Sequence, residues 1–268
     1  MSVLLQVSDP HFGTERAAAV EALVRLAAEA RPNLVVLSGD ITQRARRAQF
    51  AAAVRLVERL AAPALAIPGN HDVPLFNLAA RAFSPYGGYA AAFGEALEPT
   101  HESAELLVIG VNTTRARRHK HGEVSAAQVE RVARRLRAAL AQQLRVVVVH
   151  HPLHVPSAAD EVDVVRGAEP AARAWAAAGA DLVMGGHIHL PFVRELGERF
   201  SGLARPLWVV QAGTAVSHRV REGGGERNSV NLIRYAAGSL ACTVERWDHD
   251  PSRQSFVRVA ETRIALSR

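Results

Sequence analysis

The sequence offers almost no sulfur chemistry. Cys242 is the one cysteine, so neither an intramolecular disulfide nor a thiolate metal cluster can form. Lysine is nearly absent too: Lys120 stands alone, and arginine carries almost all the positive charge behind a net +6. Those arginines are spread along helical stretches rather than gathered into a run. They read as solvated helix faces that can help draw in an anion, and no stable nucleic-acid partner is expected. No apolar run approaches the ~18 residues of a membrane span. The N-terminus enters a strand pattern almost at once, with no basic-then-apolar signal region. These absences set the expectation of a cytoplasmic protein without a membrane span.

What remains is an ordinary globular chain. Its 268 residues can enclose one large core, so a single domain over 1–268 is expected. Short apolar runs at 3–7, 34–37, 64–67, 106–111, 146–149 and 182–184 read as strands. They alternate with helical patterns over 15–30, 44–60 and 168–178. Ser125 and Gln128 form a capping box for a further helix, with Val129, Val132, Leu136 and Leu140 as its core stripe. After residue 207 the rhythm changes to strands at 207–210, 229–235, 240–247 and 256–264, the last of them a meander. The glycine-rich stretch 222–225 reads as a mobile loop. The pattern implies an α/β fold of two packed sheets with helices outside. Segment 73–100 is less regular. It holds Phe76, Phe83, Tyr86, Tyr89 and Phe93 in a chain with few aromatics, and Pro85, Gly87 and Gly88 break any long helix. It is either a lid or pocket wall, or a satellite cluster packing the loop to the body.

The chain is organised around Pro68-Gly69-Asn70-His71-Asp72, which follows the strand at 64–67. A structural turn needs the proline and the glycine, but not an amide, an imidazole and a carboxylate in succession. Asp9 and His11, Asp40, Asn70 and His71, His150, and His187 with His189 all sit just past the C-terminal end of an expected strand. In open α/β sheets those ends share one edge, where ligands bind. Imidazole and carboxylate without thiolate suit Zn, Mn, Fe, Co or Ni. The donors are too many for one ion, and two ions ~3.5–4 Å apart would use them. Two aspartates leave the pair with surplus positive charge, which acidifies bound water and attracts phosphate.

Ser8-Asp9-x-His11, Gly39-Asp40, Gly69-Asn70-His71-Asp72, His150-His151-Pro152 and Gly186-His187-x-His189 resemble, in order, the five blocks of the calcineurin-like metallophosphoesterases. The stretch from Gly213-Thr214-Ala215 through Arg219, Arg221 and Asn228-Ser229 resembles the class III cyclic-nucleotide phosphodiesterase branch. The resemblance implies a four-layer α-β-β-α sandwich of two mixed sheets. It assigns Asp9, His11 and His189 to one metal, Asn70, His150 and His187 to a second, and Asp40 to both. Mn, Fe, Zn or Co would serve. It also implies a metal-bridging hydroxide as nucleophile and His71 as the group that contacts the phosphate or protonates the departing alkoxide, with Asp72 orienting it. His151, Arg219 and Arg221 are further candidates for contact with a small anionic phosphoester.

The expected activity is hydrolysis of small phosphodiesters, with 3',5'-cyclic AMP as the representative substrate. A phosphomonoesterase, a glycerophosphodiester or lipid-diphosphate hydrolase, and a nuclease are alternatives with the same chemistry. A scaffold that had lost its metals would show broken blocks, and none is broken here. Monomer and homodimer both stay open.

Overall fold

The computed structural model describes residues 1–221 and 227–267. The glycine-rich 222–225 stretch lies outside the described residues.

The first half alternates strand and helix: β1 (Ser2–Val7), α1 (Ala17–Ala30), β2 (Leu34–Ser38), α2 (Arg47–Leu60) and β3 (Ala64–Ile67). Two short helices follow, α3 (Leu78–Phe83) and α4 (Gly87–Phe93). Then come β4 (Thr100–Glu102), β5 (Leu106–Gly110), α5 (Ala126–Arg137), β6 (Leu144–Val148), α6 (Ala168–Ala177) and β7 (Leu182–Gly185). The chain closes with β8 (Phe192–Glu195), β9 (Trp208–Gln211), β10 (Ser229–Tyr235), β11 (Ala241–Asp250) and β12 (Ser255–Ala265).

Two six-stranded sheets result, in the orders β12-β11-β10-β1-β2-β3 and β4-β5-β6-β7-β9-β8. Each is mixed. β1, β2 and β3 are parallel, as are β5, β6, β7 and β9, and antiparallel strands flank both sets. Strands this apolar must be covered on both faces. Leu4, Val36 and Ile67 of the first sheet meet Val108, Val146 and Met184 of the second in the central core. The outer face of the first sheet packs under α1 and α2, and that of the second under α5 and α6. The fold is the expected α-β-β-α sandwich.

Amide side chains interrupt the apolar contact between the sheets. Gln6 Nε2 donates to Gly185 O (2.9 Å) and Ser38 Oγ (3.2 Å), and Asn231 Nδ2 donates to Gln6 Oε1 (2.9 Å) and Gln211 O (3.3 Å). Gln211 Nε2 in turn donates to Gly186 O.

Several expectations shift. The helix expected from 44 begins at Arg47, because 40–46 is spent in a loop paired to residue 12. α5 ends at Arg137, so Leu140 leaves the stripe and is half exposed, while Ala133 is buried. β4 and β8 were not expected; both lie at a sheet edge. The strands after 207 divide between the sheets, with β9 inside the second and the β10–β12 meander completing the first. In 73–100 the aromatics part company. Tyr89 is buried, packs with Phe93 and donates to Ala66 O (2.7 Å), while Phe76 and Phe83 face solvent. Among the described residues, no helix is long and apolar enough to cross a membrane.

A candidate dinuclear metal centre

Each candidate ligand stands where an apolar strand hands over to a loop. The loops after β1 and β2 continue the strand pairing beyond the sheet: Asp9 N donates to Gly39 O (3.1 Å), His11 N to Asp40 O (3.0 Å) and Phe12 N to Ile41 O (2.9 Å). This pairing carries Asp9, His11 and Asp40 to one rim. The backbone there is forced. Asp9, His11, Asp40, His187 and His189 have φ of 48°, 44°, 48°, 73° and 54°. They are five of the nine non-glycine residues at positive φ in the described chain. Such conformations cost on the order of 1–3 kcal/mol each and persist where the direction of a side chain matters. Two glycines let the loops close. At Gly39, whose φ is 93°, a Cβ would overlap the His150 ring, and at Gly69 it would overlap Asp40.

The donor atoms fall into two clusters. In the first, His11 Nε2 lies 3.0 Å from His189 Nε2, and Asp9 Oδ1 lies 3.3 Å from His189 Nε2 and 3.8 Å from His11 Nε2. In the second, His150 Nε2 lies 3.2 Å from Asn70 Oδ1, and its ring packs at 5.1 Å from that of His187. Asp40 faces both, with Oδ2 3.7 Å from His11 Nε2 and Oδ1 3.3 Å from His150 Nε2. Donors sharing one cation at ~2.0–2.2 Å lie roughly 3 Å apart. The spacing and chemistry of the set therefore fit a cation pair bridged by Asp40.

The nitrogens turned away from the rim support the fit at two of the imidazoles. His150 Nδ1 donates to Ser38 O (2.9 Å) and His189 Nδ1 to Arg219 O (2.6 Å). A metal-ligating histidine characteristically has its second nitrogen engaged in this way. His187 Nε2 lies 3.5 Å from Asp163 Oδ1, and both its nitrogens, like His11 Nδ1, are buried without a hydrogen-bond partner among the described residues.

Electrostatics favours the ligating forms of most donors. Burial works against ionisation at Asp9, yet the His189 imidazole holds its carboxyl at about 2. Asp40 is likewise held well below the usual carboxylate range against its burial, chiefly by His150. Burial pushes His11 down to about 3 and lowers His187. At His150 burial is outweighed by Asp40, which raises the imidazole to about 9.

Asp9, His11, Asp40, Asn70, His71, His150, His187 and His189 thus converge as expected. His71 stands at the mouth, its ring edge-on to His11 at 4.8 Å. Its Nδ1 donates to Gln43 O (2.9 Å), and its Nε2 faces the Arg219 guanidinium at 3.5 Å. Arg219 also donates to Gln43 Oε1 (2.9 Å).

Three candidates are engaged away from the mouth. Asp72 makes no hydrogen bond to the His71 ring among the described residues. Its carboxylate accepts from Gly69 N, Ile41 N, Thr42 N and Thr42 Oγ1 at 2.8–3.0 Å, tying two loops together, and burial with Asp40 nearby raises it to about 7. His151 offers no free nitrogen to a phosphate, since Nδ1 meets Thr113 Oγ1 (2.7 Å) and Nε2 meets Lys120 O (2.9 Å). Arg221 is committed to Asp160 at 2.9 Å. Two contributors were not expected. Gln43 holds His71, and its only signal is its place in the loop after β2. Asp163 backs His187 from a 3-10 turn over Ala158–Asp163, and nothing local marks it. His119 is exposed, and its ring lies 6.4 Å from that of His71.

A family profile described as calcineurin-like phosphoesterase matches residues 2–191. Among curated proteins no significant match exists. Among solved structures, a purple acid phosphatase from yellow lupin (Lupinus luteus) seeds superposes with a TM-score of 0.70 at 12% identity, over 98% of this chain and 53% of that one. The chain thus spans about half the length of that relative. A dimetal phosphatase from Danio rerio superposes with a TM-score of 0.65 at 13% identity, over 99% of both chains. Vacuolar Protein Sorting 29 from Cryptosporidium parvum superposes at 0.51 with 13% identity, over 98% of both. At these identities the structures attest the fold, while the profile spans well over half the sequence: the chain belongs to the calcineurin-like phosphoesterase family.

Proposed function

We propose that this chain is a metal-dependent phosphodiesterase, in which Asp9, His11 and His189 hold one cation, Asn70, His150 and His187 a second, and Asp40 both. The observation that carries the reading is the Asp40 carboxylate, whose two oxygens face two separate donor clusters. When bound, the cations supply Lewis acidity to the phosphoryl oxygens and lower the pKa of water.

The chain's own residues supply the rest. The hydrogen bond from His71 Nδ1 to Gln43 O sets the ring so that Nε2 points into the mouth. As the imidazolium, protonated on both nitrogens, His71 would hand its Nε2 proton to the departing alkoxide and keep the Nδ1 proton on Gln43 O. Arg219, beside it and fixed by Gln43, offsets charge on the phosphoryl oxygens. Asp72 keeps the loops after β2 and β3 together, so that Asp40 and Asn70 hold their spacing.

The reading as a cyclic-nucleotide phosphodiesterase rests on the 213–229 segment. Most of its polar residues serve the loops: Thr214 Oγ1 donates to Asp9 O (2.6 Å) and Asn228 Nδ2 to Ser217 O (2.6 Å). Among its described residues, Arg219 is the member beside His71. 3',5'-Cyclic AMP is therefore one diester of the test panel rather than its presumed answer.

The test strips the protein of metal, restores Mn, and compares bis-p-nitrophenyl phosphate, mono-p-nitrophenyl phosphate and cyclic AMP. Diester hydrolysis should vanish on chelation and return with Mn. His71→Ala should lower kcat about 10²- to 10⁴-fold. Full activity in protein shown by elemental analysis to be metal-free would refute the proposal. Faster turnover of the monoester would replace the diester assignment with a phosphomonoesterase.

A further inference from the structure

We propose that the groove beside the metal rim takes the alkyl chain of an anionic phosphoester, which makes the substrate class amphiphilic; this rests on the phosphoesterase reading above. The groove, about 1040 Å³ in volume, runs between α2 and the α3–α4 segment. Phe50, Val54, Leu75 and Ala92 line it, and Arg44, Arg46, Arg47 and Arg55 stand along it with one carboxylate, Glu58. Among the described residues, none of these four arginines has a carboxylate within ion-pair distance. The next arginine along α2, Arg59, is paired with Glu21 of α1, and on α5 Arg131 pairs with Glu98 and Arg135 with Glu102.

The segment opposite α2 also breaks the usual pattern of exposure. Phe76, Leu78 and Phe83 are 78%, 74% and 90% exposed, three of the eight large exposed hydrophobics described, within one short stretch. Arg44 stacks over Phe76 with its guanidinium 5.3 Å from the ring centroid. Arginine stems extend an apolar wall while their heads reach water or an anion. An apolar trough edged by four unpaired cations is the complement of a chain with an anionic head, and a bare sugar or nucleotide would leave the trough unfilled.

The groove's lining continues from the loops that carry the rim residues. Arg44 follows Gln43, whose carbonyl holds His71, and Pro74, Leu75 and Phe76 follow directly from the loop that carries Asn70, His71 and Asp72.

The test uses metal-loaded protein and methyl, butyl and octyl p-nitrophenyl phosphate as monomers. KM should fall by up to about fourfold per added methylene until the groove is full. Ala91→Trp, at an exposed lining position, should flatten that dependence. Isothermal titration with octyl phosphate, ethyl phosphate and octyltrimethylammonium reads the groove without turnover. Octyl phosphate should bind at least tenfold tighter than either. The exposed-site double variant Arg47→Glu/Arg55→Glu should lose the preference over the ammonium, which keeps the test sound if Ala91→Trp does not fold. If no ester turns over while octyl phosphate still binds tighter than ethyl, the groove stands and the hydrolase reading falls. Equal KM for all chain lengths together with equal binding of octyl and ethyl phosphate overturns the proposal. So does Phe83-dependent binding to phosphatidylglycerol vesicles without any chain-length effect on monomers, which would make the segment a bilayer contact.

Discussion

Among the rim imidazoles, His187 faces a carboxylate from outside the donor set. Asp163 Oδ1 lies 3.5 Å from its Nε2 and is itself paired with Lys120 at 2.8 Å. Burial would raise the Asp163 carboxyl, but His187 and Lys120 beside it hold it at about 2. An ionised carboxylate behind an imidazole fixes which nitrogen keeps the proton and turns the other toward a cation. Asp163→Asn should therefore weaken one of the two cations about 10- to 100-fold and spare the other. The readout is loss of one metal equivalent on dialysis at limiting metal. Two equivalents retained at unchanged affinity would leave Asp163 as no more than an anchor for Lys120. That these polar side chains gather at one rim was legible in sequence, because each directly follows an apolar run. Asp163 was not legible, since its partner is remote in the chain. Asp72 lies away from its expected place for a geometric reason. Asn70, His71 and Asp72 form one turn of 3-10 helix, in which successive side chains point about 120° apart. Neighbours in sequence there reach the rim, the mouth and the interior respectively.

Two of the helices end under strain. α1 and α2 stop at Arg31 (φ 46°) and Ala61 (φ 52°), both left-handed, with the cap N–H bonded to Ala27 O and Glu58 O. A glycine adopts that conformation without the Cβ penalty. Ala61 is exposed and its methyl group packs little. Ala61→Gly should stabilise the fold by about 1 kcal/mol, seen as a rise in Tm of roughly 2–4 °C. A fall in Tm would mean that the added freedom of the unfolded chain outweighs the relief. The interior strands and their helices were legible because β2, β6 and β7 are apolar almost throughout, as strands covered on both faces must be. Edge strands carry no such mark: Thr100–Glu102 and Phe192–Glu195 are short and partly solvated, and only the neighbouring strand makes them strands. In 73–100 the breakers were visible, but which aromatics turn inward was not. That depends on what lies beneath Tyr89, namely the carbonyl of Ala66.

At the scale of the molecule, the candidate centre joins the two sheets. Asp9, His11, Asp40 and Asn70 follow strands of the first, and His150, His187 and His189 follow strands of the second. Each proposed cation draws donors from both, so metal binding should resist their separation. At free metal a thousandfold above Kd, each site should add about 4 kcal/mol to stability. Calorimetry should show Tm rising with Mn and returning on chelation, with a smaller rise for Asp9→Ala. A Tm indifferent to metal would remove the cations from the interface. The buried amides of Gln6, Gln211 and Asn231 bear on the same joint. Two greasy faces can slip past each other at little cost, because dispersion hardly notices a small offset, whereas a chain of amide contacts tolerates almost none. They work as dowels: the gap between the two half-sites is machined into the interior before any ion arrives, and a variant such as Gln6→Leu would leave every ligand in place while loosening the gauge that spaces them.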